Sequence, residues 1–362
     1  MSDIVISGYY GLGNSGDEAL LKSIVSDLKS IDPQICITAL SGKTSQTRKM
    51  YGIKTINRFN LFSVVNELRK AKLLISGGGT LIQDATSTKS LLYYLAIIFL
   101  AKKMGLKVML YANGIGPIKE KNIKKVNKVL NKVDIITLRE NVSLEEIERC
   151  GIKKPRVIVT ADPAFNLQSA PGECADKIFA DYSIGKSGKL VAVSVRECAN
   201  MPEDFSQQMA LSLDEIAKKG YLPVFIPMQK KCDLALSLEI AGKMEEQSRV
   251  IDCDLSIPDM LAIIGRCSIV CGMRLHMLIF ASVMNVPMAG IAYDPKIRGF
   301  MEYMNQKTYV ELDKFDRGKF LEMAIFCIEN ADEMKEKLSE ESLSLRKKAR
   351  ANASLAVELL NS

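Results

Sequence analysis

The 362 residues suffice for two domains with separate cores, and 48% hydrophobic with 25% charged residues is the balance of a soluble globular protein. A single histidine excludes a multi-histidine metal site, nine cysteines without a C-x-x-C pair offer no thiol cluster in its place, and neither a structural zinc nor any other metal is expected. The net charge of +7 is uneven: residues 1–165 carry 25 Lys+Arg against 14 Asp+Glu, whereas residues 166–362 carry 24 against 28, so the N-terminal half is expected to meet something anionic.

No basic patch interleaved with aromatics marks that partner as nucleic acid. Met1-Ser2-Asp3 leads directly into the strand pattern I-V-I-S without a signal segment, so a cytoplasmic protein with reduced thiols is expected. The chain continues G-Y-Y-G-L-G-N-S-G-D-E-A-L-L, in which Gly11, Gly13 and Gly16 have the G-x-G-x-x-G spacing of a dinucleotide loop. Two features oppose that reading. Asp17 and Glu18 occupy the helix start where a pyrophosphate would sit. The acid expected about 20 residues on to hold a ribose is missing from I-C-I-T-A-L-S-G-K.

Further strands are read at K-L-L-I-S, K-V-M-L-Y-A, I-I-T-L-R and R-V-I-V-T, with helices such as Glu18 to Leu28 and Leu61 to Ala71 between them. The apolar run Leu91 to Ala101 is shorter than the roughly 20 residues of a membrane span, and it reads as a buried helix. Residues 119–133 form a basic amphipathic helix, with Ile123, Val126, Leu130 and Val133 on one face and six lysines around the rest. Such a helix can lie on an anionic membrane, here at the inner face of the plasma membrane, or can simply be a solvated face. Residues 166–188 read as a linker. The second half repeats the alternation with K-L-V-A-V-S-V-R, L-P-V-F-I-P, R-V-I-D-C, S-I-V-C-G and P-M-A-G-I-A-Y, then a long charged helical pattern from Arg317 to Leu360. The expectation is an α/β protein of two tandem Rossmann-like domains, 1–165 and 189–362, with ligands bound in the cleft between them at the carboxyl ends of the strands.

Residues just after strands are therefore the candidates. In the first half these are Asn14, Gly16, Asp17 and Glu18 in the opening loop, Gly78, Gly79, Gln83 and Asp84 in S-G-G-G-T-L-I-Q-D, and Arg139 in L-R-E-N. Their side chains suit sugar hydroxyls, although each glycine can also serve only a turn and Asp17 only its helix dipole. In the second half Arg196 ends a strand, Arg274 and His276 open an apolar helix after Gly272, and Lys296 and Arg298 follow A-Y-D-P. Guanidinium groups at a helix N-terminus suit a small, multiply charged anion.

Taken together, G-Y-Y-G-x-G-N-x-G-D-E-A, S-G-G-G-x-L-x-Q-D, N-G-I-G-P-I, D-P-A-F, G-M-R-L-H and Y-D-P-K resemble the polysaccharide pyruvyl transferase family, most of all its CsaB-type branch, over residues 4 to about 300. The resemblance implies a GT-B-like fold and no cofactor. It implies transfer of the enolpyruvyl group of phosphoenolpyruvate (PEP) to a hexose, forming a 4,6-pyruvate ketal and releasing phosphate. For that branch the acceptor is a lipid-pyrophosphate-linked disaccharide precursor of a secondary cell-wall polysaccharide, with N-acetylmannosamine as the modified sugar, and the ketal later anchors surface-layer proteins. The PEP-binding R-L-H of the family falls on Arg274, Leu275 and His276, and its strand-end arginine on Arg196. The family lends no catalytic residue to the opening loop. From the charge and chemistry of PEP alone, His276 is expected to give the proton or stabilise the leaving phosphate, and Asp17 or Glu18 to act as base toward the sugar hydroxyl. Two alternatives stay open: a GT-B glycosyltransferase using a nucleotide sugar, and a non-catalytic protein binding PEP or the precursor.

Overall fold

The computed structural model describes residues 2–85, 87–185 and 189–362. The chain forms two compact units, one running to Asn166 and taking back Leu345–Ser362, the other comprising Leu167–Ser344.

In the first unit seven strands, all parallel, lie in the order β3-β2-β1-β4-β5-β6-β7. They are β1 (Ile4–Tyr10), β2 (Ile37–Ser41), β3 (Lys54–Asn57), β4 (Leu73–Gly77), β5 (Lys107–Asn113), β6 (Ile135–Leu138) and β7 (Arg156–Val159). The helices are α1 (Ser15–Ile31), α2 (Thr44–Tyr51), α3 (Leu61–Leu68), α4 (Thr88–Lys103), α5 (Glu120–Leu130) and α6 (Val142–Arg149). The central strands are buried on both faces, which is why they read as unbroken apolar runs rather than alternating ones. One face packs against Val64 and Leu68 of α3, Leu91, Tyr94 and Ile98 of α4, Val126 and Leu130 of α5, and Ile147 of α6. The other packs against Leu21, Ile24 and Leu28 of α1.

The second unit has six parallel strands in the order β10-β9-β8-β11-β12-β13. They are β8 (Lys189–Ser194), β9 (Tyr221–Phe225), β10 (Arg249–Val250), β11 (Cys267–Gly272), β12 (Met288–Ala292) and β13 (Tyr309–Glu311). Its helices are α7 (Gly172–Asp181), α8 (Phe205–Lys218), α9 (Lys230–Lys243), α10 (Ile257–Ile264), α11 (Leu275–Val283), α12 (Pro295–Tyr303), α13 (Arg317–Glu329) and the start of α14 (Ala331–Asn361).

Three expectations change. The proposed linker is largely structured: α7 buries Ala175 and Phe179 and belongs to the second unit, while residues 186–188 lie outside the described residues. The charged C-terminal pattern is two helices broken at Asn330, and its end returns to the first unit. There Ala353, Ala356 and Leu359 join the core beside α1, and buried Asn352 bonds Thr160 Oγ1 at 2.8 Å and the Ala161 carbonyl at 3.2 Å. Finally, the apolar stripe of 119–133 is spent on the protein's own core: Val126, Leu130 and Val133 are buried in it and Ile123 packs against it. A membrane cannot take that stripe without unfolding the unit.

No described helix is long and apolar enough to cross a membrane. All nine cysteines are unpaired, with Cys150, Cys267, Cys271 and Cys327 buried and Cys36 and Cys253 exposed. Among the described residues no group of His, Cys, Asp and Glu is arranged to hold a metal ion.

Candidate active site

Each sheet has one topological switch point, where the chain leaves a strand in one direction and the next neighbour is reached in the other. It falls between β1 and β4 in the first unit and between β8 and β11 in the second. Open α/β sheets bind ligands at the carboxyl ends of the strands flanking such a point. The candidate residues cluster at both.

In the second unit Arg196 follows β8, Arg274 follows β11, and Tyr293 and Lys296 follow β12, so three adjacent strands deliver their ends to one place. Arg196 Nη1 donates to Tyr293 Oη at 2.8 Å, with the guanidinium 4.9 Å from the ring centroid. Lys296 Nζ lies 5.6 Å from the same centroid and 3.0 Å from Asp294 Oδ2. Tyr293 thus holds two cations near each other. Arg274, 8% exposed, is gripped through Nε and Nη2 by Asp233, which is fully buried, and Nη2 also reaches Gln229 Oε1 at 3.4 Å. Neither partner engages Nη1. Arg196 Nε and Ser194 Oγ are buried without a hydrogen-bond partner among the described residues, and Ser194 pairs in register with Gly272. Buried polar atoms left unsatisfied at a strand end fit a site completed by a polar ligand. His276 is half-buried one residue into α11, with its ring 6.3 Å from that of Phe280, and Arg274 is the helix N-cap residue.

Two residues expected here do not belong to the cluster. Arg298 is exposed and paired with Glu311 through Nε and Nη2, both at 2.7 Å. On a helix residues two apart point in different directions, so Lys296 and Arg298 cannot serve one ligand. Leu275 is 7% exposed and packs as an apolar residue at the start of α11. Conversely, Asp233, Gln229, Tyr293 and Ser194 join the site. Tyr293 lay inside the quoted A-Y-D-P-K motif; Asp233 comes from the first turn of α9, with nothing local to mark it as a partner of Arg274.

In the first unit the opening loop is tied down by its own residues. Asn14 is the N-cap of α1 and accepts from Gly16 N at 3.0 Å. Glu18 accepts from Gly11 N and from Tyr51 Oη, both at 2.7 Å, and burial pushes its carboxyl above the usual range. Each oxygen of Glu18 thus accepts one hydrogen bond, and Glu18 clamps the loop between Gly11 and Tyr51. Gly78 and Gly79 have φ of +69° and +70°. A Cβ on Gly78 would stand 2.7 Å from Leu20 Cδ1, and one on Gly79 3.2 Å from Asp17 Oδ1. Their bareness thus admits the first turns of α1. Gly13, at φ +79°, has nothing within 4 Å of a built Cβ and is the exposed opening of this loop.

Asp84 and Arg139 are also corrected. Asp84 is fully buried, accepting from Lys119 N at 2.8 Å and Asn122 Nδ2 at 2.6 Å, which binds the loops after β4 and β5. Burial raises its pKa, but these donors outweigh it and hold the carboxylate below its usual range. Arg139, 5% exposed, meets Asp162 at 3.1 Å, Glu140 at 2.7 Å and Thr80 Oγ1 at 3.1 Å. Burial works against its charge, and Glu140 and Asp162 more than restore it. Gly114 leaves the room this cluster needs, since a Cβ there would lie 2.8 Å from both Glu140 Oε1 and Thr80 Oγ1. Asp17 Oδ1 lies beside Gly79, and Gln83 is half-buried in the loop after β4.

The glycine packing makes a measurable claim. Gly78→Ala should lower stability by about 2–4 kcal/mol, combining left-handed strain with overpacking against Leu20. Gly13→Ala, equally left-handed but open, should cost only about 1 kcal/mol. Equal melting temperatures for the two variants would contradict the packing role of Gly78.

Comparison with solved structures defines the class. Over the full length of both chains, the fold matches that of Anabaena Alr3699/HepE in complex with UDP-glucose, with a TM-score of 0.68 and 12% identity. A glycosyltransferase from Rickettsia africae ESF-5 matches with a TM-score of 0.66 and 14% identity, over 100% of this chain and 99% of that one. The ADP-heptose heptosyltransferase II of E. coli matches at 0.53 and 10%, over 92% of this chain and 100% of that one. The fold is that of two-domain, Rossmann-like GT-B proteins, and at these identities the likeness concerns the fold alone.

The polysaccharide pyruvyl transferase model matches residues 14–295, and the chain belongs to this family of transferases. A curated relative, the amylovoran biosynthesis protein AmsJ of Erwinia amylovora, is 25% identical over 259 residues. That match covers 66% of this chain and spans 61% of the relative's length.

Proposed function

We propose that the protein transfers the enolpyruvyl group of PEP to a hexose of a lipid-pyrophosphate-linked glycan precursor, in the manner of the CsaB-type branch. The carrying observation is the convergence of Arg196, Arg274 and Lys296 at one switch point, with two of the cations stacked on Tyr293 and the third aligned by Asp233. PEP presents a phosphate and a carboxylate, and guanidinium forks suit both. Unsatisfied Arg196 Nε and Ser194 Oγ are ready partners for its oxygens.

The reaction joins two sugar hydroxyls to C2 of PEP. Protonation of the methylene carbon gives a methyl group and an oxocarbenium-like C2. The first hydroxyl oxygen bonds to C2, the C2–O bond to phosphate breaks, and the second hydroxyl closes the ketal. Of the two hydroxyl protons, one balances that taken up by the methyl carbon and the other leaves with phosphate. His276 supplies the carbon proton or stabilises the departing phosphate, and Asp17 accepts a proton from the sugar. Asp17 Oδ1 stands beside Gly79, where a built Cβ would lie 3.2 Å from it, and this position in the opening loop supports that role.

Thermal stabilisation tests donor binding directly. Millimolar PEP should raise the melting temperature, and Arg196→Gln should remove most of that shift without lowering the ligand-free value. A PEP shift unaltered by Arg196→Gln would place the donor elsewhere.

A further inference from the structure

Phe59, Leu61 and Phe62 are 70%, 61% and 84% exposed, three bulky apolar side chains within four residues at the start of α3. The turn that shows them is firmly built. Asn57 Oδ1 accepts from Phe59 N at 2.9 Å, and Asn60 caps α3 by accepting from Ser63 N at 3.0 Å. Beneath them Arg58, 7% exposed, donates to the Gly8 carbonyl at 2.7 Å and lies 4.6 Å from the Tyr93 ring centroid. Tyr93 Oη donates back to the Arg58 carbonyl at 3.2 Å. The apolar side chains are therefore held outward by an anchored turn at the carboxyl end of β3, on the same rim as the opening loop.

The surroundings are cationic. Between residues 33 and 83 the only acid is Glu67, 4% exposed and bonded to Lys54, Ser2 and Thr38, against six further Lys and Arg besides Lys54 and the buried Arg58. Helices α3, α4 and α5 cover the same face of the sheet. All six lysines between 119 and 132 are exposed, as is Lys89 in the first turn of α4.

From this combination we infer that the Phe59–Phe62 turn inserts into an anionic phospholipid bilayer, with the lysine-covered flank of α5 lying against the headgroups. Apolar tips beside lysines are held by burial below the headgroups and by attraction to them, and each contribution needs the other to be strong. The inference does not depend on the donor chemistry, because membrane binding is measured without turnover.

The chain contains no tryptophan, so Phe62→Trp introduces a single reporter. With vesicles of equal parts phosphatidylglycerol and phosphatidylcholine, its emission should shift to the blue and be quenched by lipids brominated on the acyl chains. Vesicles of phosphatidylcholine alone should give much less of both. The Leu61→Ser/Phe62→Ser double variant, whose changes are exposed and should leave melting unaltered, should bind anionic vesicles about tenfold less tightly. Co-sedimentation with an unshifted indole would mean adsorption by charge alone and overturn insertion, as would failure to sediment. A blue shift that depends on protein concentration without vesicles, with a dimer in light scattering, would assign the turn to a second copy of the chain.

Discussion

Asp233→Ala is expected to lower stability by about 3–5 kcal/mol, the cost of leaving a buried guanidinium without its partner. For a unit of this size that is roughly 6–20 °C in melting temperature. Asp233 is fully buried and takes both Nε and Nη2 of Arg274, whose other neighbour here, Gln229, is a weak acceptor at 3.4 Å. The same change should raise the KM for PEP, because Arg274 loses the contact that aims it across the switch point. Asp233→Asn, which keeps one acceptor, should recover part of both losses. Melting of Asp233→Ala within a degree of the parent would show that the pair does not carry the fold, and an unchanged KM would separate Arg274 from the donor.

His276→Ala is expected to act differently, lowering kcat by about 10²–10⁴-fold, the usual weight of a positioned proton donor, with little effect on melting. His276 is half-buried at the N-terminus of α11, where its neighbours Leu275 and Met277 carry the packing. It is also the only histidine in the chain, so its titration can be followed by NMR as a single imidazole signal. Near-normal turnover at saturating PEP would remove it from the chemistry and leave it as an orienting neighbour of Arg274.

Much of this arrangement was legible in the residues. Unbroken apolar runs such as I-V-I-S and S-I-V-C-G announced buried parallel strands, and the residues after them proved to surround the switch points. Two of the four edge strands were not legible: β3 (K-T-I-N) and β13 (Y-V-E) are four and three residues long, and their pairing is dictated by neighbours rather than by their own pattern. By contrast, R-V-I-V-T and R-V-I-D-C did mark the edge strands β7 and β10. Side-chain partnership was the other blind spot. Asp84 and Arg139 looked like polar groups at a binding rim, yet Asp84 is held by Lys119 and Asn122, 35 and 38 residues on, and Arg139 by Asp162 and Thr80, 23 and 59 residues away, besides its neighbour Glu140. Asp233 was missed for the same reason, lying 41 residues from Arg274. Periodicity correctly described α5 as amphipathic, but it cannot say what covers an apolar stripe, and here the sheet does. Phe59 to Phe62 carry no periodic signal, and only their exposure in the fold makes them a feature.

The most direct test of the central claim is phosphate release from PEP, measured with and without a synthetic lipid-pyrophosphate-linked disaccharide. Release should require the acceptor and equal, mole for mole, the pyruvate ketal formed on its sugar. No release from PEP under any acceptor, together with thermal stabilisation by a nucleotide sugar and none by PEP, would contradict it and point to sugar transfer instead.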